Sequence, residues 1–346
     1  MNEILTGLRA PTTNAKTRSA LNHWITYCVK KGTSPIRLPS EVAYWRNALN
    51  NAVLIMRFGA YLVKEIGLTH GVAADYLTRL LDWHVTHVGV PMVYGIEPTQ
   101  IKNFVKALRN KLPGEKRERR ALRVRHLRSI ADLIDFSNIL SANIFSAFVT
   151  AFGALMRVGE YTVPKASSAF DKKLCLTRKD IQFKHRKRKD KKTRVNAMIR
   201  PEKSGKESKR KATKQLLAYE CGDILSAGFC LEKLLFDWDP VESEKAGDTP
   251  LFRDPSRNGA AITAPQIRHA LKQCVELIGL NPKFYSTHSL RSGGATALFH
   301  AGASPLVIQL MGRWSSEIYQ IYIRCKEGDA IHFAELMTQG DAPGED

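Results

Sequence analysis

Residues 287–296 have the sequence Thr-His-Ser-Leu-Arg-Ser-Gly-Gly-Ala-Thr, in which His288 and Arg291 are three positions apart. If a helix begins in this stretch, both side chains lie on one side of it, because residues three apart are neighbours on a helix surface. A histidine and an arginine at this spacing are a common pattern, however. The function of the pair can therefore be inferred only together with other polar segments of the chain.

A second polar segment lies well before this pair, at residues 155–160, which have the sequence Leu-Met-Arg-Val-Gly-Glu. Its first two residues end a stretch, residues 139–156, that is apolar on almost every side and predicts a buried helix. Arg157 therefore stands where a core helix ends. A guanidinium in that position is costly to desolvate unless it meets an anion, although an arginine at a helix end is more often a capping or surface residue.

Two further polar segments complete the set. Lys203 lies in Glu-Lys-Ser-Gly-Lys, residues 202–206, directly after a strand-like stretch at 195–199. Tyr322 lies near the end of the chain in Gly-Arg-Trp-Ser-Ser-Glu-Ile-Tyr-Gln-Ile-Tyr-Ile-Arg, residues 312–324. Taken alone, Lys203 is one of many nearby lysines and Tyr322 has the helical spacing of a core residue.

The pattern of apolar residues divides the chain into two domains. Helical spacing and apolar runs before residue 112, including a run at 53–66, predict an all-helical domain over 1–112. A Pro-Gly pair and an Arg-rich stretch then predict a basic linker over 113–126. The second domain, 127–346, is predicted to be mostly helical with a small sheet, its strands being expected at residues 174–176, 181–183, 195–199 and 210–217.

Composition narrows the class of protein. The 346 residues include 53 Lys and Arg against 33 Asp and Glu, which gives a net charge of +20. Residues 184–214 alone hold 15 basic and three acidic residues, a net charge of +12. Such a charge predicts a nucleic acid as partner. No apolar run has the length of a membrane span, and the six cysteines are scattered, so we expect neither a membrane protein nor a disulfide or zinc framework.

The order Arg, Lys, HxxR, His or Trp, then Tyr resembles the catalytic domain of the tyrosine recombinases, the phage-integrase family. The matching segments are LMRVGE, EKSGK, THSLRSGGAT and GRWSSEIYQIYIR, within residues 125–327. The resemblance implies an α+β fold, mainly α with a small antiparallel β-sheet, behind an N-terminal helical core-binding domain. The RWSS and YIR sequences are similar to those of eukaryotic mobile-element members of the family, such as Crypton-like transposases.

The resemblance also implies roles for individual residues. Tyr322 would be the nucleophile that forms a 3′-phosphotyrosyl bond, and Arg157 and Arg291 would neutralise the phosphate. Lys203 would be the general acid for the departing 5′ oxygen, and His288 a proton acceptor or phosphate donor. Alternatives remain open at two of these positions. They are Tyr319, because Trp314 and Tyr322 are eight rather than nine residues apart, and Lys206.

Two more residues receive roles from the same comparison. Trp314 occupies a position that is histidine in many members, and its indole N–H can donate to a phosphate but cannot transfer a proton. Glu160, beside Arg157, is expected to support the site by hydrogen bonding.

The implied function is a site-specific DNA recombinase or integrase of a mobile element, acting on double-stranded DNA as a tetramer. No cofactor, metal, membrane or small-molecule substrate is expected. A type IB topoisomerase, a telomere resolvase and a domesticated DNA-binding protein without catalysis are the alternatives. The absence of a leader in the opening residues predicts an intracellular protein, nuclear in a eukaryote and otherwise in the cytoplasm or nucleoid.

Overall fold

The computed structural model describes residues 11–36, 45–93, 103–104, 107, 118–184, 194–199, 213–314 and 320. The chain divides into two compact units, the first ending at Arg117 and the second beginning at Glu118. No helix in these described ranges is long and apolar enough to cross a membrane.

Three helices lie in residues 11–93 of the first unit: α1 (Pro11–Lys31), α2 (Trp45–Lys64) and α3 (His70–Val88). Their shared core is aromatic and aliphatic, and Trp24 packs edge-on against Phe58 with ring centroids 5.1 Å apart. Helix α3 ends at Gly89, whose φ of 83° is a left-handed conformation that glycine adopts without strain. The helix expected near residues 101–112 lies mostly outside the described residues.

The second unit is built around helix α5 (Ile139–Gly153), which is buried over most of its surface. Asn138 caps this helix by accepting a hydrogen bond from the backbone N–H of Ser141. The remaining helices are α4 (Val124–Ala131), α6 (Ala227–Lys233), α7 (Ala264–Leu277), α8 (Thr287–His300) and α9 (Pro305–Met311). The buried helix predicted near residues 139–156 is therefore confirmed, but it ends before Leu155.

A three-stranded antiparallel sheet lies beside these helices, in the order β1 (Ile181–Lys184), β2 (Arg194–Ile199) and β3 (Thr213–Leu217). Val195 and Ala197 are fully buried and two residues apart, as expected for a strand with one face on the core. A short pair, β4 (Arg253–Asp254) and β5 (Ala260–Ala261), is also antiparallel. The fold class predicted from the sequence, mainly α with a small antiparallel sheet, is confirmed.

The prediction of a strand at residues 174–176 is wrong. The backbone N–H groups of Leu174 and Cys175 both donate to the carbonyl of Asp171, which closes a turn. Leu176 then donates to Glu160 and accepts from Leu251. The apolar residues are buried here because the turn packs inward, so hydrophobicity alone did not distinguish it from a strand.

The described part of the predicted linker, residues 118–126, belongs to the second unit and packs within it. The backbone N–H of Arg120 donates to the carbonyl of Phe284 at 2.9 Å, and that of Leu122 donates to Ser289 at 3.0 Å. Leu122 is fully buried in the core of this unit. The segment therefore lies directly beside the beginning of helix α8.

Helix α8 approaches its neighbours closely because two of its residues are glycines. A Cβ atom added to Gly293 would overlap the carbonyl of Leu122, and one added to Gly294 would overlap that of Phe152. The Ser-Gly-Gly sequence after Arg291 thus allows α8 to lie against α5, and it buries the arginine between them.

A buried ion network stabilises another part of the core of the second unit. Asp239 is 1% exposed and accepts hydrogen bonds from Arg178, from Arg253 Nε at 2.8 Å and from Asn143 at 3.0 Å. Burial by itself raises the pKa of the Asp239 carboxyl. The hydrogen bonds and positive charges around it outweigh that effect and hold its pKa below the ordinary value.

Candidate active site

The site begins where helix α5 ends. Leu155 has a φ of 47°, a left-handed conformation that is uncommon for a residue with a branched side chain. The chain then turns so that Arg157 has an extended backbone and precedes the short 3₁₀ turn Val158–Glu160. Arg157 therefore lies outside helix α5, as the N-cap residue of this turn, and its side chain is partly exposed to solvent.

Glu160 fixes this turn. Its carboxylate is 3% exposed, and its Oε2 accepts the backbone N–H of Arg157 at 2.9 Å. The same carboxylate pairs with the Arg157 guanidinium at 3.4 Å, while the Arg157 side chain keeps about a third of its surface exposed, 34%. Glu160 therefore contacts Arg157 through both backbone and side chain, and Arg157 can still contact a solute.

Arg291 is the buried cation of the site. Its side chain is 1% exposed, and Nη1 donates to the carbonyl of Leu155 at 2.6 Å. Nη2 donates to the carbonyl of Gly312. These contacts are to neutral groups, so the charge of Arg291 is not cancelled by them. Keeping a guanidinium buried in this way is costly without an anion nearby.

His288 lies one turn before Arg291 in helix α8. The helix begins at Thr287, and Ser286 donates its backbone N–H to Ser289 Oγ at 3.0 Å to close the first turn. The side chain of His288 is exposed, whereas that of Arg291 is buried. The amino end of a helix favours anions through its backbone N–H groups and its dipole, so His288 lies where a phosphate is favoured.

Trp314 packs on Arg291. Its ring is 7% exposed, and the Arg291 guanidinium carbon lies 4.6 Å from the ring centroid, a cation–π contact. The ring also packs in a small apolar cluster with Leu155 and Ile308. Gly312 leaves room for it, since an added Cβ would overlap the indole.

The structure thus brings Arg157, Glu160, Arg291 and Trp314 together around the end of helix α5. His288 lies on the same helix as Arg291. The predicted nucleophile and general acid, Tyr322 and Lys203, lie outside the described residues, and so do their alternatives, Tyr319 and Lys206.

One residue of the site was missed by the sequence reasoning. Arg313 donates from Nη2 to Glu160 Oε2 at 2.8 Å and from Nη1 to the carbonyl of Ala154 at 3.0 Å. It also donates to Gln215 of β3. Arg313 lies between Gly312 and Trp314 in the sequence, but no spacing in the chain links it to a glutamate 153 residues earlier.

Three arginines meet at this point. Arg157, Arg291 and Arg313 contribute three guanidinium groups, and Glu160 is the acidic group that pairs with two of them. An excess of positive charge in a partly buried site binds anions and stabilises negative charge that develops in a reaction. In the part of the chain that the structure describes, no cluster of three or more His, Cys, Asp or Glu side chains could hold a metal ion.

Solved structures of recombinases share this fold. One is the XerH site-specific recombinase bound to palindromic difH substrate in a post-cleavage complex, with a TM-score of 0.55, 16% identity, and coverage of 83% of this chain and 70% of that chain. Another is the Tn1549 transposon integrase in complex with transposon right end DNA, with a TM-score of 0.52, 15% identity, and coverage of 84% and 85%.

The pre-cleavage complex of XerH with difH has a TM-score of 0.51 and 17% identity, and covers 82% of this chain and 70% of that chain. No protein-family model and no curated protein matches the chain. The structural neighbours are site-specific recombinases and integrases, and the chain has the tyrosine-recombinase fold.

Proposed function

We propose that this protein is a site-specific DNA recombinase that cleaves and rejoins DNA through a 3′-phosphotyrosyl intermediate. The proposal rests above all on one observation: Arg291 and the Arg157–Glu160 pair, far apart in sequence, meet at the end of helix α5. A phosphodiester is the anion that this arrangement fits in a chain with a net charge of +20. We propose that the protein acts in the integration or transposition of a mobile element.

In the proposed reaction, the Tyr322 oxygen attacks the scissile phosphorus. The Tyr–O–P bond forms as the bond from phosphorus to the 5′ oxygen breaks, so bond energy is conserved in the phosphotyrosine. His288 receives the tyrosine proton, and Lys203 gives a proton to the departing 5′ oxygen. Rejoining reverses these steps, with a 5′ hydroxyl as the attacking group.

Negative charge grows on the non-bridging oxygens during the attack. Arg157, partly exposed, can contact these oxygens directly, and Arg291 adds a second positive charge from its buried position. Preorganised cations lower the barrier because they need no rearrangement while the charge develops. The indole of Trp314 keeps the Arg291 guanidinium in place, and its N–H is the group that could reach the phosphate.

The partner in this proposal is double-stranded DNA. Structures with the same fold were determined with difH DNA and with a transposon end. Exchange between two duplexes requires four strand cleavages, so we propose a tetramer assembled on DNA. Cross-linking the protein with and without its DNA site, followed by mass measurement, tests this assembly.

The decisive experiment starts by selecting bound duplexes from random genomic fragments. A nick placed near the cleavage point of a selected duplex lets a short fragment diffuse away and traps the covalent adduct. We expect an adduct with the natural protein, none with Tyr322→Phe, and an adduct with the control Tyr319→Phe. An adduct that survives in Tyr322→Phe and disappears in Tyr319→Phe would move the nucleophile to Tyr319.

The same preparation distinguishes the alternative functions. Transfer of strands between two marked duplexes supports a recombinase, whereas relaxation of supercoils without transfer identifies a type IB topoisomerase, and hairpin ends identify a resolvase. Specific DNA binding with no adduct under any condition would identify a DNA-binding protein without catalysis.

A further inference from the structure

We propose that Arg313 is a positioning residue that keeps the charge of Arg157 available to the scissile phosphate by sharing the carboxylate of Glu160. This inference rests on the proposed function, because it assigns a role within the same reaction. It concerns a side chain that contacts Glu160, the carboxylate that also pairs with Arg157.

Arg313 has partners in three elements. Its guanidinium donates to Glu160 Oε2 at 2.8 Å, to the carbonyl of Ala154 at 3.0 Å and to that of Leu155 at 3.3 Å. It also donates to Gln215 on β3. The side chain is 13% exposed, so most of these contacts are shielded from water.

The backbone of Arg313 supports the same role. Its φ of 54° is left-handed, which costs about 1 kcal/mol or more for a residue other than glycine. Such a conformation persists only when the surroundings hold it. Here it turns the side chain back onto the end of helix α5, where the carbonyls of Ala154 and Leu155 have left the helical hydrogen-bond pattern and need donors.

Gln215 holds the other side of this guanidinium. Its Oε1 accepts from Arg313, and its Nε2 donates to the carbonyl of Met311 at 3.1 Å. The amide therefore links β3 to the segment that carries Arg313. Gln215 is 5% exposed, which makes the link a fixed part of the core.

Glu160 is where Arg313 and Arg157 meet. Oε2 accepts from Arg313 and from the backbone of Arg157, while Oε1 faces the Arg157 guanidinium at a longer 3.4 Å. Among the ion pairs of the described residues, Glu160 pairs with Arg313 and Arg157, so removing Arg313 leaves Arg157 as its partner there. The Arg157 guanidinium would then be drawn toward Glu160 and would offer less charge to a phosphate.

The test compares two nicked duplexes, one natural and one with a methylphosphonate at the scissile position, in which a methyl group replaces one non-bridging oxygen. The methylphosphonate carries no charge, so its transition state needs less charge neutralisation from Arg157. For Arg313→Met we expect adduct formation on natural DNA to slow by about 10²-fold, the size of losing one transition-state donor. On the methylphosphonate the ratio of variant to natural protein should approach one.

Arg253→Met is the matched control, because Arg253 is also a partly buried arginine paired with a carboxylate but lies in the Asp239 network. Its effect should be the same on both duplexes. DNA affinity of Arg313→Met should stay within about twofold, since affinity comes from many phosphate contacts. Equal losses for Arg313→Met on both duplexes, or a natural rate on natural DNA, would overturn the positioning role.

If Arg313→Met does not fold, Arg313→Lys and Gln215→Leu give the same comparison with smaller perturbations. Lysine donates from one nitrogen in place of a planar fork, so it does not reproduce the separate contacts that Nη1 and Nη2 make with Glu160 and the two carbonyls. We expect both variants to lose more rate on natural DNA than on the methylphosphonate, and equal losses would again overturn the role. A natural protein that forms no adduct would instead refute the proposed function itself.

Discussion

The carbonyl oxygen of Leu155 accepts a hydrogen bond from Arg291 Nη1 at 2.6 Å, across 136 residues of sequence. This contact exists because Leu155 adopts a left-handed backbone and turns its carbonyl out of the α5 helix. A strained residue at the end of a core helix thus anchors the buried cation of the site. Strain of this kind is kept where the surrounding structure compensates for it.

Arg291→Lys tests this anchor. A lysine donates from a single nitrogen, so it does not reproduce the separate contacts of Nη1 with Leu155 and Nη2 with Gly312, nor can it stack on Trp314 as a planar group. We expect covalent adduct formation to fall by about 10²-fold or more, the range for losing a preorganised donor. Single-turnover trapping measures it, and a rate within threefold of the natural protein, about 0.65 kcal/mol in barrier height, would refute the role.

Gly293→Ala tests the packing of helix α8. The new Cβ would meet the carbonyl of Leu122, which is backbone and cannot rotate away. We expect the free energy of unfolding to fall by about 1–3 kcal/mol, the usual cost of overpacking. Gly71→Ala is the control, since a Cβ added there would have nothing within 4 Å of it, and it should cost nothing measurable. Denaturant unfolding measures both, and equal stabilities would contradict the packing argument.

Asp239→Asn tests the buried ion network and its pH dependence. The pKa of Asp239 is depressed, so its stabilising effect is fully present above the ordinary pKa of an aspartate and is lost as pH falls through the lower folded value. The variant leaves Arg178 and Arg253 without their anion, and we expect a loss of about 3–5 kcal/mol at pH 7.

Below the folded pKa the natural protein has lost the same charge, so the difference between the two proteins should shrink in acid. Unfolding free energies at pH 7 and at successively lower pH values measure this. A difference that stays constant with pH would show that the charge of Asp239 is not what stabilises the core.

Trp314→Phe separates two roles of the indole. The ring lies on the Arg291 guanidinium and is almost fully buried. If this packing is the main contribution, phenylalanine should keep adduct formation within about tenfold, the effect of about 1.4 kcal/mol. Trp314→Ala removes the ring and should cost about 3–5 kcal/mol of stability. If Trp314→Phe slows adduct formation as much as Arg291→Lys does, the indole N–H rather than the packing of the ring is the main contribution.

Much of the local structure could be predicted from the sequence. Thr263 accepts the backbone N–H of Gln266 at the start of helix α7, as its position before Ala264-Pro265 indicates. The strand around Val195 and the buried helix α5 also follow from local patterns of apolar residues. These features depend on neighbours in the chain, and neighbours are what a single sequence displays.

The sequence by itself therefore determined the fold class, the existence of the buried helix α5 and the residue types that suit a phosphate site. Only the tertiary structure decided that Leu155 leaves its helix, that Trp314 stacks on Arg291 and that Arg313 shares Glu160 with Arg157. Each of these depends on atoms that meet across more than 20 residues of chain or on a strained backbone held by such contacts. Local propensity carries no information about which distant donor will satisfy a given acceptor, because that choice is made when the helices pack.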